Sequence, residues 1–141
     1  MSESQAEYRT TEHVETIHFI VKGIPRPKQS FKYSKTGGYT PIEVVVWQSK
    51  VSSEAMKTIA EYDWTLTPFR IWKTPLAVEL DFYLPDKHRR DLDNLSKAVL
   101  DAMNGIVYKD DCQVVDLHLR KFYNSPEYGV TVTVALAKKE E

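Results

Sequence analysis

Only one cysteine, Cys112, occurs in the 141 residues, so no internal disulfide can staple the fold, which suits a reducing compartment. No apolar run approaches the ~20 residues needed to cross a bilayer, and the N-terminus lacks the basic-then-apolar pattern of a secretory leader. A cytoplasmic chain with no membrane partner is expected. Excess positive charge is also missing: 19 Lys and Arg against 20 Asp and Glu leave a net charge of −1, which excludes a generic basic binder of nucleic acid. What is present is apolar material for a core. Hydrophobic residues make up 42%, with three tryptophans, and the length fits one domain with no internal repeat.

Charge that is balanced overall is segregated along the chain. Residues 1–12 carry Glu3, Glu7 and Glu12 against Arg9 and read as a flexible acidic tail preceding a single domain at 13–141. Residues 22–42 carry Lys22, Arg26, Lys28, Lys32 and Lys35 and no acid. Phe31, Tyr33 and Tyr39 are interleaved among them, and Pro25, Pro27, Gly37 and Gly38 break regular structure. Cations alternating with rings on a loop suit phosphate contact and base stacking. A loop kept soluble by its lysines has the same composition.

Periodicity gives the elements. Ile17, Phe19 and Val21 alternate with polar positions in a strand at about 14–22. Thr40-Pro41-Ile42-Glu43 reads as a capping box opening a helix to about Tyr62, with Val44, Trp47, Val51, Ala55, Ile59 and Tyr62 as its buried stripe. Leu76, Val78, Leu80, Phe82 and Leu84 alternate with Glu79, Asp81 and Tyr83 in a second strand. Those two acids read as a solvated sheet face, with further metal ligands as the alternative. Leu95, Val99 and Met103, with Leu92 one turn earlier, make a second helical stripe. Two more alternating segments, about 113–121 and 130–136, flank the turn residues Asn124-Ser125-Pro126 and are expected to pair as a C-terminal antiparallel hairpin. The fold class is α+β: a mixed β-sheet with two main helices packed on one face.

One stretch gathers more acid than folding requires. Arg89-Arg90-Asp91-Leu92-Asp93-Asn94-Leu95-Ser96-Lys97 is followed by Asp110-Asp111. Extended alternation would put Asp91 and Asp93 on one side, with Asp93 or Asn94 capping the helix and Lys97 one turn beyond Asp93. Taken singly, each pair is an ordinary helix cap, turn or surface ion pair. Together they suit a hard divalent cation held against a phosphate. Mg²⁺ takes oxygen ligands at roughly 2.0–2.1 Å and needs only two or three carboxylates beside its waters. Arg89 and Arg90 match phosphate oxygens with their guanidinium forks, with pairing to Asp86 or Asp91 as the alternative.

The run from Pro85 to Ala98, with Leu100-Asp101-Ala102 and Asp110-Asp111-Cys112-Gln113-Val114-Val115-Asp116, closely resembles the RusA family of Holliday-junction resolvases. The resemblance implies a Mg²⁺-dependent endonuclease of bacteria or their phages, with one or two ions per subunit and Mn²⁺ as a substitute. It implies a homodimer cutting four-way junction DNA by paired nicks, a metal-activated water leaving a 5′-phosphate and a 3′-hydroxyl. Its catalytic residues fall on Asp91, Asp93, Lys97 and Asp111, the metal ligands being Asp91, Asp93 and Asp111 or Asp110. Arg26, Lys28, Lys32, Lys35, Arg89, Arg90 and Lys121 are the candidate DNA contacts. A broader branched-DNA or flap nuclease, or a non-catalytic module holding a structural cation, is the competing expectation.

Overall fold

In the computed structural model, residues 16–29, 32–34, 37–62 and 74–137 are described. The acidic tail, Lys35 and the segment 63–73 lie outside them. Among the described residues, six strands and two α-helices follow in the order β1 (Thr16–Lys22), β2 (Lys32–Ser34), β3 (Gly37–Tyr39), α1 (Ile42–Glu61), β4 (Leu76–Tyr83), α2 (Leu92–Ala102), β5 (Val114–Phe122) and β6 (Gly129–Leu136). The main sheet has the order β1-β6-β4-β5, and β2-β3 form a small antiparallel ribbon within the basic segment. Among the described residues no helix is long and apolar enough to cross a membrane.

Strict alternation sets one face of the sheet inward. Ile17, Phe19, Val21, Leu76, Val78, Leu80, Phe82, Val130, Val132 and Val134 are all buried and share one cluster with Trp47, Val51, Leu95 and Val99 from the helices. Each large side chain there contributes about 1.5–3 kcal/mol of transfer free energy. The helices run side by side in the same direction, α1 tying down carbonyls of α2: Gln48 Nε2 donates to Ala98 O (3.0 Å) and Ser52 Oγ to Ala102 O (2.8 Å). On the open sheet face Arg120 binds Asp81 (2.6 and 3.0 Å) and Glu79. Those two acids are therefore a solvated face.

The α+β class with a mixed sheet holds, but the two C-terminal strands do not pair with each other. β4 lies between them, parallel to β5 and antiparallel to β6. The reason is burial: all the inward side chains of β4 are covered, so it takes a central place, and the β5–β6 connection crosses over its end. There Leu84 N–H donates to Phe122 O and Ser125 N–H to Leu84 O, each 2.8 Å. At the far side of this turn Gly129 has φ +155°, and a Cβ on it would stand 2.2 Å from Val21 O, so glycine is required where β6 meets β1.

Both helix starts differ from expectation. Pro41 (φ −56°, ψ 145°) is itself the N-cap of α1 and no side-chain cap bond forms, so Thr40 and Glu43 make no capping box. Helix α2 begins earlier than expected, capped by Asp91 rather than Asp93 or Asn94. Leu92 packs against the core as the first member of the apolar stripe, which pulls it into the helix. Asp91 and Asp93 consequently do not share an extended face.

Candidate active site

The N-terminal end of α2 presents charge to solvent. Asp91, Asp93 and Lys97 are exposed. The Arg89 side chain, 89% exposed, stands 3.4 Å from Asp91 Oδ1. The approach to this end is rigidly built. Arg90 is only 11% exposed and its guanidinium donates to Asp86 Oδ1 at 2.6 Å, while His88 N–H donates to the same oxygen at 3.0 Å. The Arg90 guanidinium and that N–H together hold the Asp86 carboxyl below the usual carboxylate range. Lys121 Nζ donates to Arg90 O at 2.7 Å. Asp93 and Lys97, one turn apart, form no ion pair among the described residues.

The other end of α2 holds a second group of acids. Asp101, in the last turn, receives the Lys28 ammonium at 2.9 Å. Beyond the helix, Tyr108 is fully buried and its hydroxyl donates to Leu100 O (2.7 Å), folding the chain back so that Asp110 and Asp111 return to the helix end. Gln113 Oε1 accepts from Lys109 and Asp110 N–H and fixes the short 3-10 turn Asp111–Gln113. Partial burial, then the Asp101 carboxyl, then Asp110, push the Asp111 pKa above its ordinary value.

These two groups are separate. Ten positions divide Asp91 from Asp101, about 15 Å at 1.5 Å per residue. Among the described residues no three His, Cys, Asp or Glu stand close enough to hold a metal ion. The donors themselves fit Mg²⁺, being hard carboxylate oxygens. The crowding of Asp111 by two like charges is a repulsion that a cation would relieve. Within one subunit, though, the four expected ligands are split between the two ends of one helix.

A family model described as Endodeoxyribonuclease RusA matches residues 22–135. The chain belongs to the RusA family. The matched span includes both acid groups, Lys97, strands β4 and β5 and all of β6 but its last residue, while only the last residue of β1 falls within it. Among curated relatives, Crossover junction endodeoxyribonuclease RusA of Escherichia coli (strain K12) is 44% identical over 48 residues, 33% of this chain and 40% of that protein. The enzyme of the same name from Enterobacteria phage 82 aligns with the same identity and shares. Uncharacterized protein YqaN of Bacillus subtilis (strain 168) is 59% identical over 34 residues, 24% of each chain. The chain therefore spans less than half the length of the curated relatives it matches.

The expected DNA contacts sort into different surroundings in this RusA-family fold. Arg89 is open to solvent. Arg90 and Lys121 are engaged in the segment that leads to Asp91, and Lys28 is bound to Asp101. Arg26 is half-buried; Lys32 lies in β2 with its side chain outside the described residues, as is all of Lys35. Sequence reasoning gave Asp101 no role, although it continues the series Asp93, Lys97 at a helical spacing of four, which was the available signal.

Proposed function

We propose that this chain is a Mg²⁺-dependent endodeoxyribonuclease that resolves four-way DNA junctions as a homodimer in a bacterial or phage-infected cytoplasm. It would place paired symmetric nicks that leave 5′-phosphate and 3′-hydroxyl ends. The observation that carries this reading is a RusA-family chain keeping Arg89, Asp91 and Asp93 exposed together at one helix end, with Lys97 exposed one turn further on. Asp91, Asp93 and Asp111, with Asp110 beside it, would hold one or two Mg²⁺ ions, Mn²⁺ substituting. Bound there, the cation supplies Lewis acidity and a water of lowered pKa. The Arg89 fork holds a phosphate oxygen against the site, and Lys97 neutralises charge that develops on the phosphoryl group.

The split acids argue for two subunits. A second copy with its α2 antiparallel would bring its Asp91 and Asp93 to Asp101 and Asp111 of the first, and two-fold symmetry would build the site twice. Two sites related by such an axis match the two strands of like polarity that a resolvase must nick. An open groove of about 560 Å³ borders Asp101 and is lined by Val45, Met56 and Ile106 of the same face. It is the surface the second copy would cover.

The deciding assay compares wild type with Asp93→Asn on a fixed four-way junction, a flap and linear duplex in Mg²⁺. Junction cleavage that falls about 10³-fold in the variant is expected. Equal cleavage of flaps would make this a broader branched-DNA nuclease, and no cleavage by wild type would end the enzymatic reading.

A further inference from the structure

The turn from β5 to β6 carries aromatic rings into solvent beside the approach to Asp91. Phe122, Tyr123 and Tyr128 are 43%, 43% and 42% exposed. Phe122 stacks on Tyr83 of the neighbouring strand, centroids 5.1 Å apart and planes 16° from parallel, so its ring is held in place. The turn is pinned at both flanks, to Leu84 through Phe122 O and Ser125 N–H, and to Gly23, whose N–H donates to Tyr128 O at 3.1 Å. Asn124 adopts φ +51°, a left-handed position that asparagine tolerates and that tightens the turn next to Tyr123.

One side chain wires this turn to the acid end of α2. The Lys121 ammonium lies 5.4 Å from the centre of the Tyr123 ring and 2.7 Å from Arg90 O, the residue before Asp91. Leu84, to which the turn is bonded, is likewise the first residue of the link into Asp91. Rings exposed next to fixed cations suit a nucleotide, whose base stacks while its phosphate is neutralised. Arg89, open on the same approach, adds a second phosphate contact. An apolar protein partner would gain little from rings bordered by so much charge.

We propose that the β5–β6 turn is a base-stacking platform on which Tyr123, beside the Lys121 ammonium, receives an unstacked base from the branch of a DNA junction. This rests on the endonuclease reading above and adds to it the source of preference for branched DNA. A continuous duplex offers no free base face, whereas a branch point does. The platform therefore favours a branch point over continuous duplex.

The test uses the full-length protein in EDTA, where binding is read without cutting. A fixed four-way junction and a linear duplex of matching sequence are titrated with wild type, Tyr123→Leu and Tyr123→Phe. Leucine is expected to weaken junction binding about tenfold and duplex binding less than twofold, and phenylalanine to restore the wild-type ratio. In a second measurement, 5-iododeoxyuridine at the branch positions should crosslink on irradiation to the peptide containing residues 121–128. A wild type that cuts junctions in Mg²⁺ while Tyr123→Leu keeps full discrimination, or crosslinks mapping elsewhere, overturns the platform alone. A wild type that neither binds nor cuts junctions overturns the endonuclease reading and the platform with it.

Discussion

At its N-terminal end, α2 meets solvent with Asp91 and Asp93; at its C-terminal end it meets Asp111 and Asp110 with Asp101. The first pair sits where the helix dipole favours negative charge, with the Arg89 guanidinium beside it. The second group sits where the helix dipole disfavours negative charge, and among the described residues the Lys28 ammonium is the cation bonded to it. At this second end, partial burial and the carboxyls of Asp101 and Asp110 raise the Asp111 pKa. On the proposed reading, a cation that draws on both ends would join two helices and couple catalysis to assembly.

The strongest way to break this comparison is subunit mixing. Asp93→Asn and Asp111→Asn proteins, each losing cleavage about 10³-fold alone, are co-folded into mixed dimers. If the site draws on opposite ends of two helices, the mixed dimer has one intact site and regains nicking of one strand. If each site lies within one subunit, mixing restores nothing. A smaller effect concerns Lys97, midway between the ends. Lys97→Ala is expected to lower the cleavage rate about 10²-fold with junction affinity in EDTA unchanged; a normal rate removes it from the mechanism.

Smaller still is the scaffold of the far end. Tyr108→Phe deletes the bond to Leu100 O and should cost about 1 kcal/mol of stability in urea denaturation. It should impair Mg²⁺-dependent cleavage without altering the Asp91 end. The smallest effect is the pH dependence of the metal-free protein. Because the folded state holds the Asp111 proton more tightly than the unfolded chain, stability falls as pH rises from the ordinary carboxylate range through the raised value. Asp111→Asn should therefore raise the melting temperature by about 2 °C at pH 7 in EDTA and leave it unchanged near pH 3.5. A loss of stability at pH 7 would contradict the crowding.

Much was legible from local pattern. The inward stripes of β1, β4 and β6 and the α1 stripe through Val44, Trp47, Val51 and Ala55 are buried as alternation and helical spacing require. The composite run from Pro85 to Asp116 resembles the RusA family by sequence alone, and the family match over residues 22–135 bears that out. Local chemistry misled where a neighbour outweighed it. Thr40 is a good cap by type, but Pro41 already holds the extended backbone a cap needs. Arg90 suits either a phosphate clamp or a pair with Asp86 by type, and its guanidinium is bonded to Asp86 four residues earlier.

Sequence by itself determined the main elements, the core faces and the family, because periods of two and 3.6 residues and a run of residue types are local properties. Only the tertiary structure decided that β4 separates β5 from β6, that Lys28 serves Asp101, and that the acids divide between the ends of α2. Those outcomes depend on which distant segments share space, and the spacing of residues along a chain carries no record of that.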